Sequence, residues 1–459
     1  WFSEKKKDTQ SPSSAPAAPH ENQLKKMEDD ATATSGPVEA DAVSKVLGDD
    51  LLVDILLRVG FPTTLVCAAA VCKRWFQHAS DKAFLRRFRK LNPPRLLGFY
   101  IEGFQGSPRF VPMLPQPPEL AAAVRIVKGY GLCADEERVV IRDCRNGSVF
   151  NVLCGSRHGY GPTLAVHSPL CPEKAMAIEP PLSPPQQLHH YNPLRPPIPR
   201  SFQILSREEK GGGLSYFYVF MEFAMEEGAT DLTTNCTASV SVLQDGVWCM
   251  HASATTQIPN WRAGHGAVMV DNKIYMTLTL IGITVLDLTT SSFSTIQLPE
   301  GVQYYSSEFM LSQADDASSV YLIEVKEFQL RMWLHKGDSW SIVDTICLHE
   351  MCANLMMSDC TVKDAHISYL QINCVGDNAE FVLLQMGRFV RYLDMRCKTL
   401  RTLYEMSEDE QDRGSISIHP FMMIWPPTFP ALKSGPTRSF HVRKEDIRKL
   451  LGGMCVGGE

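Results

Sequence analysis

No two cysteines in this chain have the Cys-x-x-Cys spacing of a zinc knuckle or thiol–disulfide motif, although cysteine itself is plentiful, with 14 residues. They are scattered from Cys67 to Cys455. Cys347, His349, Cys352 and Cys360 form the densest group, but they lack the paired knuckles of structural zinc. The chain is therefore read as binding no metal, its thiols acting as reduced, small apolar residues. No apolar run reaches the ~18 residues a membrane helix needs, and the first residues lack the apolar core of a signal peptide. The expected setting is nuclear or cytoplasmic, with no membrane partner. Positive charge is not in excess either. Lys and Arg total 45 against 51 Asp and Glu, a net charge of −6, which gives no drive towards nucleic acid. Gly211-Gly212-Gly213 is not followed by Lys and Ser or Thr, so it is no phosphate loop. A Gly-x-Ser-x-Gly nucleophile elbow is missing. His158, His189, His190 and His265 lie in turn-rich stretches with no defined acid–base partner. The expectation is a chain with no catalytic residue and no cofactor.

What is present starts with length. At 459 residues the chain has room for two or three domains. Residues 1–44 are rich in Ser, Pro, Ala, Lys, Glu and Asp with almost no large aliphatics, a composition that stays disordered. The sequence opens on Trp1 and Met27 precedes an acidic run, which fits a start at Met27; a native peptide from residues 1–26 would rule that out. Residues 45–92 read as a compact helical unit. Asp49 and Asp50 open a helix to Val59. Gly60-Phe61-Pro62 ends it, and Thr63 or Thr64 caps a second helix to Ala70. A third piece carries Cys72 to Trp75, and Ser80 or Asp81 caps a fourth that stops before Pro93-Pro94. Arg86, Arg87, Arg89, Lys90 and Arg95 read as a solvated face, since no aromatic interleaving accompanies them.

The first helix holds more apolar residues than one buried stripe uses. Leu47, Leu51, Leu52, Ile55, Leu56 and Val59 make a face, and Val53 and Leu57 are apolar as well. So small a unit cannot bury them all, and each large aliphatic left in water forgoes roughly 1.5–3 kcal/mol. Either a partner protein or the following domain covers the surplus. The run Leu47-Gly-Asp-Asp-Leu-Leu-Val-Asp-Ile-Leu, then Val71-Cys-Lys-Arg-Trp75, then Asp81 to Phe84 resembles an F-box, whose motif runs LP, DDLL-x-x-IL, VCKRW and D-x-x-F. Gly48 stands where that family has proline. The resemblance implies docking on a Skp-family adaptor, and through it on a cullin. The residues it implies for adaptor binding are Leu47, Leu51, Leu52, Ile55, Leu56, Val71, Cys72 and Trp75. Some of these must be internal core, and the sequence does not separate the two sets.

Beyond the helices the pattern changes to short strands and turns. Leu96 to Ile101, Val124 to Val127, Arg138 to Asp143 and Thr163 to Val166 read as strands, joined by proline-rich connectors at 108–118 and 169–199, the second a surface excursion. From Ser215 four loose units recur, with comparable positions Tyr218, Ile274, Tyr321 and Phe381 spaced 56, 47 and 60 residues apart. Val139 to Pro169 reads as an earlier, poorer unit. A β-propeller fits better than a β-sandwich, since roughly 330 residues of repeated sheet exceed a sandwich's usual size. Two phrases, Asp143-x-Arg145-Asn146-Gly147 with Leu164-Ala-Val-x-x-Pro169, and Val285-Leu-Asp-Leu-Thr-Thr-x-x-Phe-x-x-Ile-x-Leu-Pro299, resemble the F-box-associated β-propeller of plant F-box proteins. The fold class expected is a multidomain α plus all-β chain: disorder at 1–44, an F-box at 45–92, a kelch-like β-propeller at 93–435, and a tail at 436–459 with a short helix over Glu445 to Leu451. The resemblance implies a substrate-recruiting adaptor of an SCF-type (Skp–cullin–F-box) ubiquitin ligase whose propeller binds an unknown protein target. The competing readings are a propeller enzyme of kelch-oxidase type, which needs Tyr, His and Cys converging at the axis, and an F-box interaction protein working outside ubiquitin ligases.

Overall fold

The computed structural model describes residues 48–92, 95–103, 107–132, 138–154, 163–172, 175–179, 181, 200–208, 214–225, 233–259, 266–280, 282–302, 309–314, 316, 318–351, 370–408, 410, 416–425, 427 and 429. The expected N-terminal disorder, the Glu445–Leu451 helix and most of the proline-rich stretch lie outside these. The chain divides into two compact units at Leu52–Val53. Gly48–Leu52 is the described part of the first, where the Leu52 N–H bonds Gly48 O at 3.0 Å.

Four helices come first. Helix α1 spans Asp49–Leu57 with both aspartates in its opening turn, two residues shorter than expected because the chain turns out at Gly60, whose φ is +80°. Helix α2, Pro62–Ala69, corrects the capping expectation. Phe61 is the cap and makes no side-chain bond, while Pro62 begins the helix, where its missing N–H costs nothing. Thr63 and Thr64 therefore sit inside the first turn. Helix α3, Lys73–Ser80, follows the extended Cys72. Helix α4, Lys82–Leu91, is capped by Asp81, whose Oδ1 accepts the Phe84 N–H at 2.8 Å.

The remainder forms six antiparallel sheets among the described residues. Blade 1 joins β1 (Leu96–Glu102) and β2 (Arg109–Pro112) to the last strand, β23 (Ser417–Met422). Blade 2 is β3 (Arg138–Arg145), β4 (Ser148–Cys154), β5 (Thr163–His167) and β6 (Met176–Ile178). Blade 3 is β7 (Arg200–Glu208), β8 (Leu214–Met225), β9 (Thr233–Gln244) and β10 (Val247–Pro259). Blade 4 is β11 (Ala267–Val270), β12 (Lys273–Met276), β13 (Gly282–Asp287) and β14 (Ser292–Gln297). Blade 5 is β15 (Phe309–Gln313), β16 (Val320–Lys326), β17 (Gln329–Lys336) and β18 (Ser339–Cys347). Blade 6 is β19 (Leu370–Val375), β20 (Phe381–Met386), β21 (Phe389–Asp394) and β22 (Thr399–Glu405). The first strands β3, β7, β11, β15 and β19 neighbour one another in order, and β23 closes the circle between β19 and β3. This is a six-bladed β-propeller whose ring is shut by pairing the end of the chain with β1, Tyr100 opposite His419. Apolar residues alternate between blade faces, as Phe217, Val219, Met221 and Phe223 of β8 do against blade 4.

The comparable positions Tyr218, Ile274, Tyr321 and Phe381 all fall on the second strand of their blades, so the repeat was real. Two local expectations are corrected. Val124–Val127 is helical, within α5 (Ala121–Gly129): three alanines favour helix, and Ala123, Val124 and Val127 recur on one buried face. The proline-rich connectors also contain strands, since β2 and β6 are the outer strands of blades 1 and 2, and Leu170, Cys171 and Ile178 are buried.

Candidate functional site

The helices present a divided surface. Leu52 and Leu56 are fully buried and Leu57 nearly so, whereas Leu51 is 54% exposed, Ile55 39% and Val71 52%. Leu51 and Ile55 stand four apart along α1 and so share a helix face. The apolar surplus thus falls on Leu51 and Ile55, while Leu57 of the expected second face is inside. Cys72 and Trp75 are half-buried, the Trp75 Nε1 shielded without an acceptor. Leu47 lies outside the described residues. Full burial of a large aliphatic side chain is worth roughly 1.5–3 kcal/mol, of which each of these half-exposed residues has realised only a part.

Elsewhere the helices are anchored. Val66 of α2 belongs to one core with Leu97, Tyr100, Leu120, Val127, Phe421 and Met423. Phe88 of α4 stacks on Trp425, ring centroids 5.4 Å apart and planes 6° from parallel, and Phe76 of α3 meets Phe429 edge-on at 5.7 Å. Asn92 Nδ2 donates to Leu57 O at 3.0 Å.

At the propeller axis, the phrase Asp143-x-Arg145-Asn146-Gly147 acquires a role for each named residue. The Ser206 hydroxyl of blade 3 donates to Asp143 Oδ2. Arg145 donates through Nη1 to Ser206 O at 2.7 Å and through Nη2 to Asp377 Oδ1 of blade 6 at 3.1 Å. Asn146 and Gly147 make the β3–β4 turn with φ of +48° and +72°, the two-residue hairpin turn that asparagine and glycine favour. Asn146 Oδ1 then accepts the Trp425 N–H. Burial raises the Asp143 carboxyl above its ordinary range, opposed by the neighbouring Arg145 guanidinium. His419 on β23 lies 3.6 Å from Glu102 Oε2, which also accepts the Ile141 N–H at 2.9 Å. These bonds tie blade 2 to blades 1, 3 and 6. The sequence alone does not show them, because the partners stand from 39 to more than 270 residues apart; the one available signal was the phrase itself.

The histidine candidates His158, His189, His190 and His265 lie outside the described residues, as do Cys352 and Cys360. Among the described residues no His, Cys, Asp and Glu group is arranged to hold a metal ion, and no helix is long and apolar enough to cross a membrane.

Residues 47–90 match the F-box-like family model. Residues 140–429 match the model described as F-box protein AT5G49610-like, beta-propeller. None of the curated proteins matches the chain. Similar solved structures include a Bacteroides thetaiotaomicron protein of unknown function, at 10% identity and TM-score 0.32, covering 66% of this chain and 64% of that one. A prolyl endopeptidase structure has 13% identity and TM-score 0.30, covering 68% and 45%. BamB from Moraxella catarrhalis has 12% identity and TM-score 0.28, covering 69% and 84%. The chain spans less than two thirds of the length of the first two, and likenesses of this size carry no argument about its activity. With an F-box-like segment ahead of a matched propeller that fills more than half its length, the chain belongs to the AT5G49610-like family of F-box proteins.

Proposed function

We propose that this F-box protein is the substrate-recruiting subunit of a Skp–cullin–F-box ubiquitin ligase, acting in the nucleus or cytoplasm. The observation that carries the proposal is the exposure of Leu51 and Ile55 on α1 and of Val71 between α2 and α3, while Leu52, Leu56, Leu57, Leu65 and Val66 are buried. A Skp-family adaptor covers them, and the cullin binds through the adaptor. Leu52 and Leu56, fully buried, act from inside by holding the helix that presents Leu51 and Ile55. The adaptor-binding segment is 45–92 and the target-binding body is 93–435.

The propeller supplies the target side. β1 is the second strand of blade 1 and starts at the end of the ring where the first strands finish, so the helices join at that end. The outer strands β6, β10, β14, β18 and β22 finish at the opposite end, and the target is proposed to bind there. The chain contributes no reacting group. It raises the effective concentration of target near the ubiquitin-charged enzyme. The test is co-expression with a Skp-family adaptor and a cullin. The expected result is one complex containing all three, lost for Leu51→Ala/Ile55→Ala/Val71→Ala. Adaptor binding without cullin would move the chain outside ubiquitin ligases, and no adaptor binding would end the proposal.

A further inference from the structure

The contacts of Met423, Ile424, Trp425 and Phe429 run in two directions. Towards the propeller, the Trp425 N–H is held by Asn146 Oδ1 and Ile424 lies over Gly147, in the first turn of blade 2. Towards the helices, Trp425 stacks on Phe88 of α4 and Phe429 packs on Phe76 of α3. The Met423 N–H bonds Arg95 O at 2.9 Å, at the junction of helices and sheet. These residues directly follow β23, the strand that closes the ring.

We propose that Met423, Ile424, Trp425 and Phe429 form a latch that fixes α3 and α4 of the F-box against the propeller once the ring is closed. The chain between α4 and β1 is short, Asn92 to Arg95. A short connection limits the distance between helices and sheet, and Val66 of α2 packs into the core of Leu97, Leu120 and Val127 whether or not the ring is closed. The aromatic pairs add a fixed orientation for α3 and α4, because stacked and edge-on rings have preferred geometries. They stand in place only if β23 has paired with β1, so a chain that has not closed its last blade holds its helices through α2 alone. The functional consequence rests on the adaptor reading above: a rigid chain keeps one distance and angle between adaptor and target. The latch itself needs no adaptor to be tested.

The experiment is hydrogen–deuterium exchange on the full chain, comparing wild type, Trp425→Ala/Phe429→Ala, Phe429→Ala alone and Trp425→Phe. For the double variant, amides of α3 and α4 are expected to exchange at least tenfold faster, with those of β7 to β22 unchanged. Trp425→Phe, which keeps a ring on Phe88, restores protection. If the double variant does not fold, Phe429→Ala decides, with faster exchange confined to α3. Unchanged protection of the helices overturns the proposal, and so does an equal loss throughout the blades, which would make these residues general core. Neither result bears on adaptor capture, and failure to capture an adaptor leaves the latch standing.

Discussion

Gly147→Ala is the sharpest probe of the junction between blade 2 and the end of the chain. Gly147 has a φ of +72°, and an L side chain in the left-handed region costs roughly 1–2 kcal/mol. A Cβ there would overlap Ile424 Cγ1 and press on Cδ1 at 3.2 Å. Ile424 is partly buried and packs against the same core as Phe421 and Met423, and overpacking against such a residue costs about 1–3 kcal/mol. Together the substitution should cost roughly 2–5 kcal/mol, a large share of the ~5–15 kcal/mol that keeps a domain folded. The two parts separate in a double-mutant cycle, measured by urea unfolding of the full chain. With Ile424→Ala already present the overlap disappears, so Gly147→Ala should cost about 1–3 kcal/mol less than in the wild type. A cost under ~1 kcal/mol, or no coupling to Ile424, would refute the reasoning.

Two further predictions follow from the axis and the turns. Arg145→Met should destabilise the propeller by about 1–3 kcal/mol, because Ser206 O and Asp377 lose their donor and the half-buried Asp143 carboxyl loses the guanidinium beside it. Adding Asp143→Asn should recover part of that, read as the midpoint of thermal unfolding. Asp316 accepts the Ser318 and Ser319 N–H groups at 3.0 and 2.8 Å, and these bonds lower its carboxyl to about 2. A depressed folded value means that its stabilisation is full above the ordinary carboxylate range and is lost as pH falls through about 2. The stability difference between wild type and Asp316→Asn should therefore shrink between pH ~4 and ~2; a difference constant over that window contradicts it.

The propeller was legible where side chains alternate with period two. Tyr218, Ile274, Tyr321 and Phe381 could be aligned because each second strand is rich in apolar residues, buried on alternate positions in β8 and almost throughout in β12, β16 and β20. Blade 1 could not, because its strands come from opposite ends of the chain and its outer strand β2 lies in a proline-rich stretch. Val124–Val127 misled for a different reason: β-branched residues suggest a strand locally, but the alanines ahead of them and the burial of Ala123 and Val127 settle a helix. At the F-box, composition showed that the first helix had too many aliphatics for one face, and not which of them would be left outside. That choice depends on which residues the rest of the fold covers: Leu52 and Leu56 went inside, Leu51 and Ile55 did not. The phrase around Arg145 was visible as a resemblance, yet its meaning lay in Ser206, Asp377 and Trp425, which no local pattern connects to it.

Adaptor binding through Leu51, Ile55 and Val71 is the proposal on which the function of the whole chain rests. The most direct measurement is the equilibrium dissociation constant of that complex for wild type and for Leu51→Ala/Ile55→Ala/Val71→Ala, with circular dichroism to show that the helices persist. Losing about 1 kcal/mol or more of burial at each position predicts weakening by a factor of roughly 100 or more. An unchanged constant in a correctly folded variant would contradict the account.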